Sequence, residues 1–182
     1  YYGTDHHWTV RGANLAYLEY CKIAKIKCKQ YEFSIVNDSF YGTLYSKVLD
    51  DSLKYDYIEK VNDDTNYYVY FDDDKNYSNS LYNYKYLNEK DKYSFFLDSN
   101  HSLISIENLD SKNENSILII KDSYANAFVP LLAPNYKYVY VIDPRYYNLS
   151  ISNYINEKQI DKILFIYNVL TIDQDLGIVS IK

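Results

Sequence analysis

Asp5 and His7 stand two positions apart in Gly3-Thr4-Asp5-His6-His7-Trp8-Thr9, directly ahead of what reads as an amphipathic helix. A carboxylate that orients an imidazole is the orienter-and-base half of a Ser-His-Asp arrangement, and it needs a nucleophile from elsewhere in the chain. In an extended lead-in, side chains at i and i+2 share a face, so Asp5 and His7 are expected together while His6 points away. The same cluster also suits a polar helix cap or part of a metal site, and the local residues leave these readings open.

Ser123 is the candidate nucleophile, in Lys121-Asp122-Ser123-Tyr124-Ala125-Asn126 after the short apolar run from Ser116 to Lys121. A serine at a strand-to-helix turn exposes its hydroxyl beside helix-terminal amides that can face a developing oxyanion. An ordinary N-cap serine would occupy the same kind of turn. Asp143-Pro144-Arg145 follows a second run, Tyr138 to Ile142, and Asn168 follows a third, Lys162 to Tyr167. If the three runs are parallel strands, all these residues lie beyond their carboxyl ends, on one edge of the sheet. Arg145 can either bind an acidic sugar there or brace its loop through Asp143.

The elements that must position these groups follow from periodicity. Thr9 is a good N-cap, and apolar residues recur at Ala13, Ala16, Tyr17, Tyr20 and Ala24, which predicts a helix from Val10 to about Lys27. Cys21 and Cys28 would then lie two turns apart on one face, roughly 10 Å from each other, too far for a disulfide, as buried thiols. Residues 31–36 alternate like a strand, and 40–47 read as a loop near the site because Gly42 interrupts an aromatic run. Strands are predicted at Tyr67 to Phe71, Lys92 to Leu97 and Ser102 to Glu107. From Glu114 onward strands alternate with helices, at Tyr124 to Leu132 and Ser150 to Lys158, which predicts a parallel sheet covered on both faces. The division is 1–29 for the Asp-His segment and its helix, 30–110 for a β-rich insertion and 111–182 for an α/β core, all within one domain.

The chain of 182 residues carries 19 Lys and Arg against 25 Asp and Glu, a net charge of −6 that argues against a nucleic-acid groove. Residues 50–74 hold nine of the acids and only Lys54 and Lys60, and read as a solvated insertion; Asp72-Asp73-Asp74 lacks EF-hand spacing. The 25 tyrosines stand against 7 Phe and 1 Trp. Tyrosine suits stacking on sugars, although most of the excess fits an AT-rich coding bias, since Asn, Lys, Ile and Asp are also plentiful. Within these residues the sequence shows no signal peptide and no apolar span of membrane length. Because the sequence opens at Tyr1, an upstream part carrying an anchor is expected.

Thr4-Asp5-His6-His7-Trp8-Thr9, Phe40-Tyr41-Gly42-Thr43-Leu44-Tyr45-Ser46-Lys47, Ile120-Lys121-Asp122-Ser123-Tyr124-Ala125-Asn126, Leu132-Ala133-Pro134 and Arg145-Tyr146-Tyr147-Asn148 together resemble the DHHW protein family. That family is similar to the SGNH/GDSL hydrolases and to the AlgX/AlgJ-like O-acetyltransferases of bacterial exopolysaccharide. The resemblance implies a flavodoxin-like, SGNH-hydrolase-like α/β fold with a β-rich insertion and a permuted catalytic order. It implies Ser123 as nucleophile, His7 as general base and Asp5 as its orienter, with no cofactor or metal. Asn168 matches the block asparagine that donates to the oxyanion, and Asn100, Arg145 and Tyr124 are expected around the substrate. Family members usually have glycines before the asparagine that matches Asn100; Asp98-Ser99 stand there instead.

The implied activity is that of an O-acetylesterase or O-acetyltransferase on a bacterial cell-surface polysaccharide, exported, with a membrane partner that hands over acetyl groups and with no nucleic-acid partner. Two other classes remain open from the residues: a non-catalytic carbohydrate-binding or assembly module on the same fold, and a metal-dependent hydrolase using Asp5 and His7 with His101 or Asp122.

Overall fold

The computed structural model describes residues 1–50 and 52–172. Helix α1 (Val10–Ala24) begins at Thr9, whose Oγ1 accepts from the Gly12 amide at 3.1 Å, and buries Val10, Ala13, Tyr17 and Cys21. It ends three residues before the expected Lys27. Lys25 turns left-handed at φ 53°, and the Ile26 and Lys25 amides bond back to the Cys21 and Lys22 carbonyls, a Schellman stop formed without glycine. Cys28 therefore lies beyond the helix, half-buried, and both thiols are free.

Strand β1 (Phe33–Phe40), helix α2 (Tyr45–Val48) and β2 (Asp56–Val61) follow, and β1 and β2 form a two-stranded antiparallel sheet. The main sheet takes β3 (Tyr67–Phe71), β4 (Asn76–Ser78), β5 (Leu103–Asn108), β6 (Ser116–Lys121), β7 (Tyr138–Ile142) and β8 (Lys162–Ile166), in the order β4-β3-β5-β7-β6-β8. Only β7, β6 and β8 are mutually parallel; β5 joins β7 antiparallel and brings β3 and β4 with it. The β-rich segment thus extends the α/β sheet.

Every residue of β6 is buried, as expected for a central strand covered on both faces. One face packs Val69, Ile104, Ile106, Ile117, Ile119, Val139 and Val141 against α1 and α3 (Val129–Leu132) in the main core. The other face carries Leu118, Ile120 and Ile142 under α4 (Ile151–Lys158), in a smaller cluster. A last turn, α5 (Val169–Ile172), follows β8. No helix among the described residues is long and apolar enough to cross a membrane.

Two expected elements differ in kind. Lys92 to Leu97 is not a strand: Lys92–Phe95 is a 3₁₀ turn, from which Tyr93, Phe95 and Phe96 are buried in the main core. The expected helix from Tyr124 to Leu132 is broken into a 3₁₀ turn (Ser123–Ala127), α3 and a second 3₁₀ turn (Ala133–Asn135), with Pro130 and Pro134 at the N-terminal positions of the last two. The acidic stretch is also less solvated than its composition implies. Glu59, 5% exposed, takes a bidentate bond from Arg11 at 2.7 Å to each oxygen, and Asp63 is held by Lys29, Thr65 and Tyr67.

Leu97, Asp98 and Ser99 run left-handed in succession, at φ 56°, 57° and 83°, so the chain keeps here the backbone that glycines would adopt freely. The strain is held in place by the bonds of the Ser99 amide to the Ser94 and Phe96 carbonyls and of His101 Nε2 to the Asp98 carbonyl at 2.9 Å. An L-residue in this region costs roughly 1–2 kcal/mol. Ser99→Gly is therefore expected to raise stability by about 1 kcal/mol, read as a higher urea midpoint at unchanged slope.

Candidate active site

The segment bearing Asp5 and His7 is pinned from two sides. Asp56 on β2 accepts from the Gly3 and Thr4 amides at 2.9 and 2.7 Å and from Thr4 Oγ1 at 2.5 Å. The Thr4 carbonyl in turn receives the Leu44 and Tyr45 amides, both at 3.0 Å, and Thr4 Oγ1 receives the Gly42 amide at 3.1 Å. The lead-in is a bend closed by Tyr2 N–H on the His7 carbonyl, rather than the expected extended strand. Consequently His6 does not point away: its ring lies 3.8 Å from that of His7, centroid to centroid, and its Nδ1 meets Thr43 Oγ1 at 2.7 Å.

Ser123, His7 and Asp5 form one hydrogen-bonded chain. Ser123 Oγ is 2.8 Å from His7 Nε2, and His7 Nδ1 is 2.5 Å from Asp5 Oδ1. Asp5 Oδ1 also accepts the His7 amide at 2.9 Å, while Oδ2 accepts the Thr43 amide at 2.7 Å and Thr43 Oγ1 at 3.0 Å. Burial by itself would raise the Asp5 carboxyl, but the bonds from His7 and Thr43 outweigh it and hold the group well below the usual carboxylate range. Burial, then the neighbouring His7, lowers His6. Tyr93 stacks on the His7 ring at 3.6 Å and 7°, and its hydroxyl donates to the Ser123 carbonyl at 3.1 Å, so one side chain steadies both base and nucleophile. Trp8 Nε1 donates to the Tyr124 carbonyl at 2.8 Å and ties the first segment to the serine turn.

Ser123 follows β6 as expected and begins the 3₁₀ turn, with Asp122 as the cap: its Oδ1 accepts the Tyr124 amide and its Oδ2 the Asn168 amide, both at 2.9 Å. The Asn168 backbone is thus tied to the residue before the nucleophile, while its side-chain oxygen accepts the Leu170 amide at 2.9 Å. Asn100 Oδ1 receives Lys121 Nζ at 2.9 Å and Asn126 Nδ2 at 3.1 Å. Lys121 itself is fully buried, bonded also to Asn126 Oδ1 and 3.5 Å from Asp143; burial lowers its ammonium to about 8 against the pull of Asp143. Of the two roles open to Arg145, the structure shows the brace, since its guanidinium grips Asp143 with two bonds, at 2.8 and 2.5 Å. The Tyr124 hydroxyl is likewise committed, to the His6 carbonyl.

Thr43, Asp56 and Tyr93 are functional neighbours that sequence reasoning did not single out. Thr43 lies in the aromatic-glycine motif, which was the available signal; Asp56 and Tyr93 carry none. Gly42 explains that motif. A Cβ at this position would overlap the Asp5 side chain, so the glycine leaves the space the carboxylate occupies. For metals, Asp5, His6 and His7 bring ligand atoms within 4.8 Å of one another, as do Asp74, Asp98 and His101; neither His101 nor Asp122 joins Asp5 and His7 in such a group among the described residues.

A mixed sheet whose parallel half, β7-β6-β8, bears this serine turn at its carboxyl edge defines an SGNH-like α/β fold. The chain belongs to the DHHW protein family, whose model matches residues 1–142. A DHHW family protein from Eubacterium siraeum DSM 15702 superposes with a TM-score of 0.77 at 27% identity, over 90% of this chain and 57% of that one. Bacillus cereus PatB1 gives 0.76 at 22% identity, over 100% of this chain and 66% of that one, and its structure with a sulfonyl adduct gives 0.77 at 22% identity, over 100% and 64%. The chain therefore spans about three fifths of the length of these structures. No curated protein matches.

Two outcomes follow from this geometry. Gly42→Ala is expected to displace Asp5 and break its bond to His7, read as loss of the downfield Nδ1–H proton resonance of His7 in a protein that remains folded by circular dichroism. Because folded Asp5 is held below its unfolded value, its ionisation adds stability that is fully present above about pH 4 and is lost as pH falls through the folded value. Asp5→Asn is expected to flatten the acid limb of stability against pH, measured by urea unfolding between about pH 2 and 5.

Proposed function

We propose that this protein is a serine acyl enzyme, an O-acetylesterase or O-acetyltransferase acting on a bacterial cell-surface polysaccharide. The observation that carries the reading is the unbroken chain from Ser123 Oγ through His7 to Asp5, at 2.8 and 2.5 Å. His7 takes the Ser123 proton as Oγ attacks the ester carbonyl carbon. The tetrahedral oxyanion then collapses, the C–O bond to the leaving alcohol breaks, and His7 returns the proton to that alcohol. Water or a sugar hydroxyl, deprotonated by His7, then attacks the acetyl carbon, the bond from that carbon to Ser123 Oγ breaks, acetate or the acetylated sugar leaves, and His7 returns the proton to Oγ. As first residue of its turn, Ser123 has an amide without an acceptor in that turn, suited to the oxyanion; Asn100 and Asn168 are proposed as side-chain donors.

Asp5 keeps the imidazole in the tautomer with Nδ1 protonated and stabilises the imidazolium that forms. Support also comes from the likeness to PatB1, an O-acetyltransferase that takes a sulfonyl adduct. Polysaccharide as substrate, location outside the cytoplasm and a membrane partner that passes on acetyl groups are proposed from the family resemblance. Ser123→Ala is expected to lower hydrolysis of p-nitrophenyl acetate by about 10³-fold or more with chelator present, and a sulfonyl fluoride is expected to label Ser123 in the wild type alone. Equal rates in folded wild type and variant would overturn the assignment.

A further inference from the structure

On the sheet face that carries α4, the helix packs over the β7–β6 side and leaves the β3–β4–β5 side without a helix among the described residues. Strand register sets two rows of side chains across this open part: Tyr77, Tyr70, Ser105 and Tyr140 in one, Tyr68, Glu107 and Tyr138 in the other. With Tyr154 of α4 as a side wall, these rows line a groove of about 460 Å³. Six of the chain's tyrosines meet here, and none belongs to the site described above.

The rings stand in two clusters, one on each side of β5. Tyr77 lies 5.2 Å from Tyr68 and 4.9 Å from Tyr70, and Tyr140 meets Tyr154 edge-on at 5.5 Å. Tyr68 and Tyr77 remain 45% and 57% exposed. The polar lining sorts the ligands. Glu107 is paired with Lys137 at 2.9 Å and Glu157 with Lys158 at 3.3 Å, which leaves the Asp72 carboxylate as the unbalanced charge. A polyanion is repelled, and a lipid chain would strip water from ionised groups and hydroxyls without replacing their bonds. A sugar ring has an apolar face for the tyrosines and a rim of hydroxyls for carboxylates and phenols, and an amino sugar adds a cation for Asp72.

The groove runs between Leu103 and Glu107 of β5, about 13 Å, and its upper end lies at the sheet edge that bears the serine turn. Leu103 pairs with Ile142, the residue before Asp143, and Asp72 directly follows β3 at that edge. We propose that this groove is a second glycan-binding subsite, which holds a neutral or amino-sugar stretch of the polymer whose ester reacts at Ser123. The identity of the ligand as part of the substrate rests on the polysaccharide reading above; the groove's binding of glycan does not need turnover.

The test uses the full chain carrying Ser123→Ala, so that no ester is consumed. Migration is measured in native gels cast with xylan, a neutral β-glucan or polygalacturonate, and chitosan oligosaccharides are titrated calorimetrically. The expected result is retardation by a neutral polymer or heat on binding the amino sugar, no retardation by polygalacturonate, and about tenfold weaker binding with Tyr68→Ala and Tyr77→Ala combined. Tyr68→Phe with Tyr77→Phe keeps the ring faces and is expected to keep most of the binding. Should the double alanine chain melt early, the single variants are read instead, since both rings are more than two-fifths exposed. Binding unchanged by the alanine substitutions, or none to any neutral or amino-sugar polymer, would overturn the subsite. With Ser123 restored, p-nitrophenyl acetate hydrolysis is expected to be unchanged by the tyrosine substitutions, so failure of the catalytic reading shows separately.

Discussion

Burial of the Asp5 carboxylate is the constraint around which the site is assembled. An ionised carboxylate out of water is costly unless its oxygens are filled, and here four donors fill them: the amide and Nδ1 of His7, and the amide and hydroxyl of Thr43. Two of the donors come from the segment of Asp5 itself and two from a loop almost forty residues away, so the carboxylate joins the first segment to the loop after β1. Gly42 supplies the space and Asp56 supplies the clamp on Gly3 and Thr4. The imidazole then has one orientation in which Nδ1 serves Asp5 and Nε2 faces Ser123, with Tyr93 closing its other face.

A second buried polar group plays the matching part under the serine turn. Lys121 ends β6 without exposure and spreads its ammonium over Asn100, Asn126 and the carboxylate of Asp143, which Arg145 grips from outside. Those partners come from the loop before β5, the turn after β6 and the loop after β7. One charge thereby ties together three of the loops at the sheet edge, and a network of this kind tolerates little displacement because each partner would be left unsatisfied in low dielectric. The left-handed run from Leu97 to Ser99 belongs to the same economy of position: it delivers Asn100 to Lys121, and the surrounding bonds hold the strained backbone.

Local order was legible wherever the period of the side chains survives folding. Ser116–Lys121 and Tyr138–Ile142 have the predicted limits, the helix at Val10 starts where Thr9 caps it, and Ser150 caps α4 as the pattern implies. The misses have physical causes. Lys92 to Leu97 is apolar enough for a strand, yet Tyr93, Phe95 and Phe96 enter the main core from a 3₁₀ turn. Lys25 stops α1 in a left-handed turn that its residue type does not advertise. Asp56, Glu59 and Asp63 read as solvent-facing because composition cannot tell which acids of a run meet a donor brought from another element.

The residues by themselves determined which chemistry was open to this chain: a carboxylate, an imidazole and a serine in turn-forming surroundings, and strands whose order sets Ser123 at a carboxyl edge. Only the tertiary structure decided that these groups meet. Ser123 and His7 are 116 positions apart and contact each other through packing of α1 and the serine turn on one sheet face, a long-range outcome that no local period encodes. The same holds for His6, turned back onto His7 by a bend, and for the tyrosines, whose gathering on one sheet face depends on strand register, since a shift of one residue would turn each strand's rings to the opposite face.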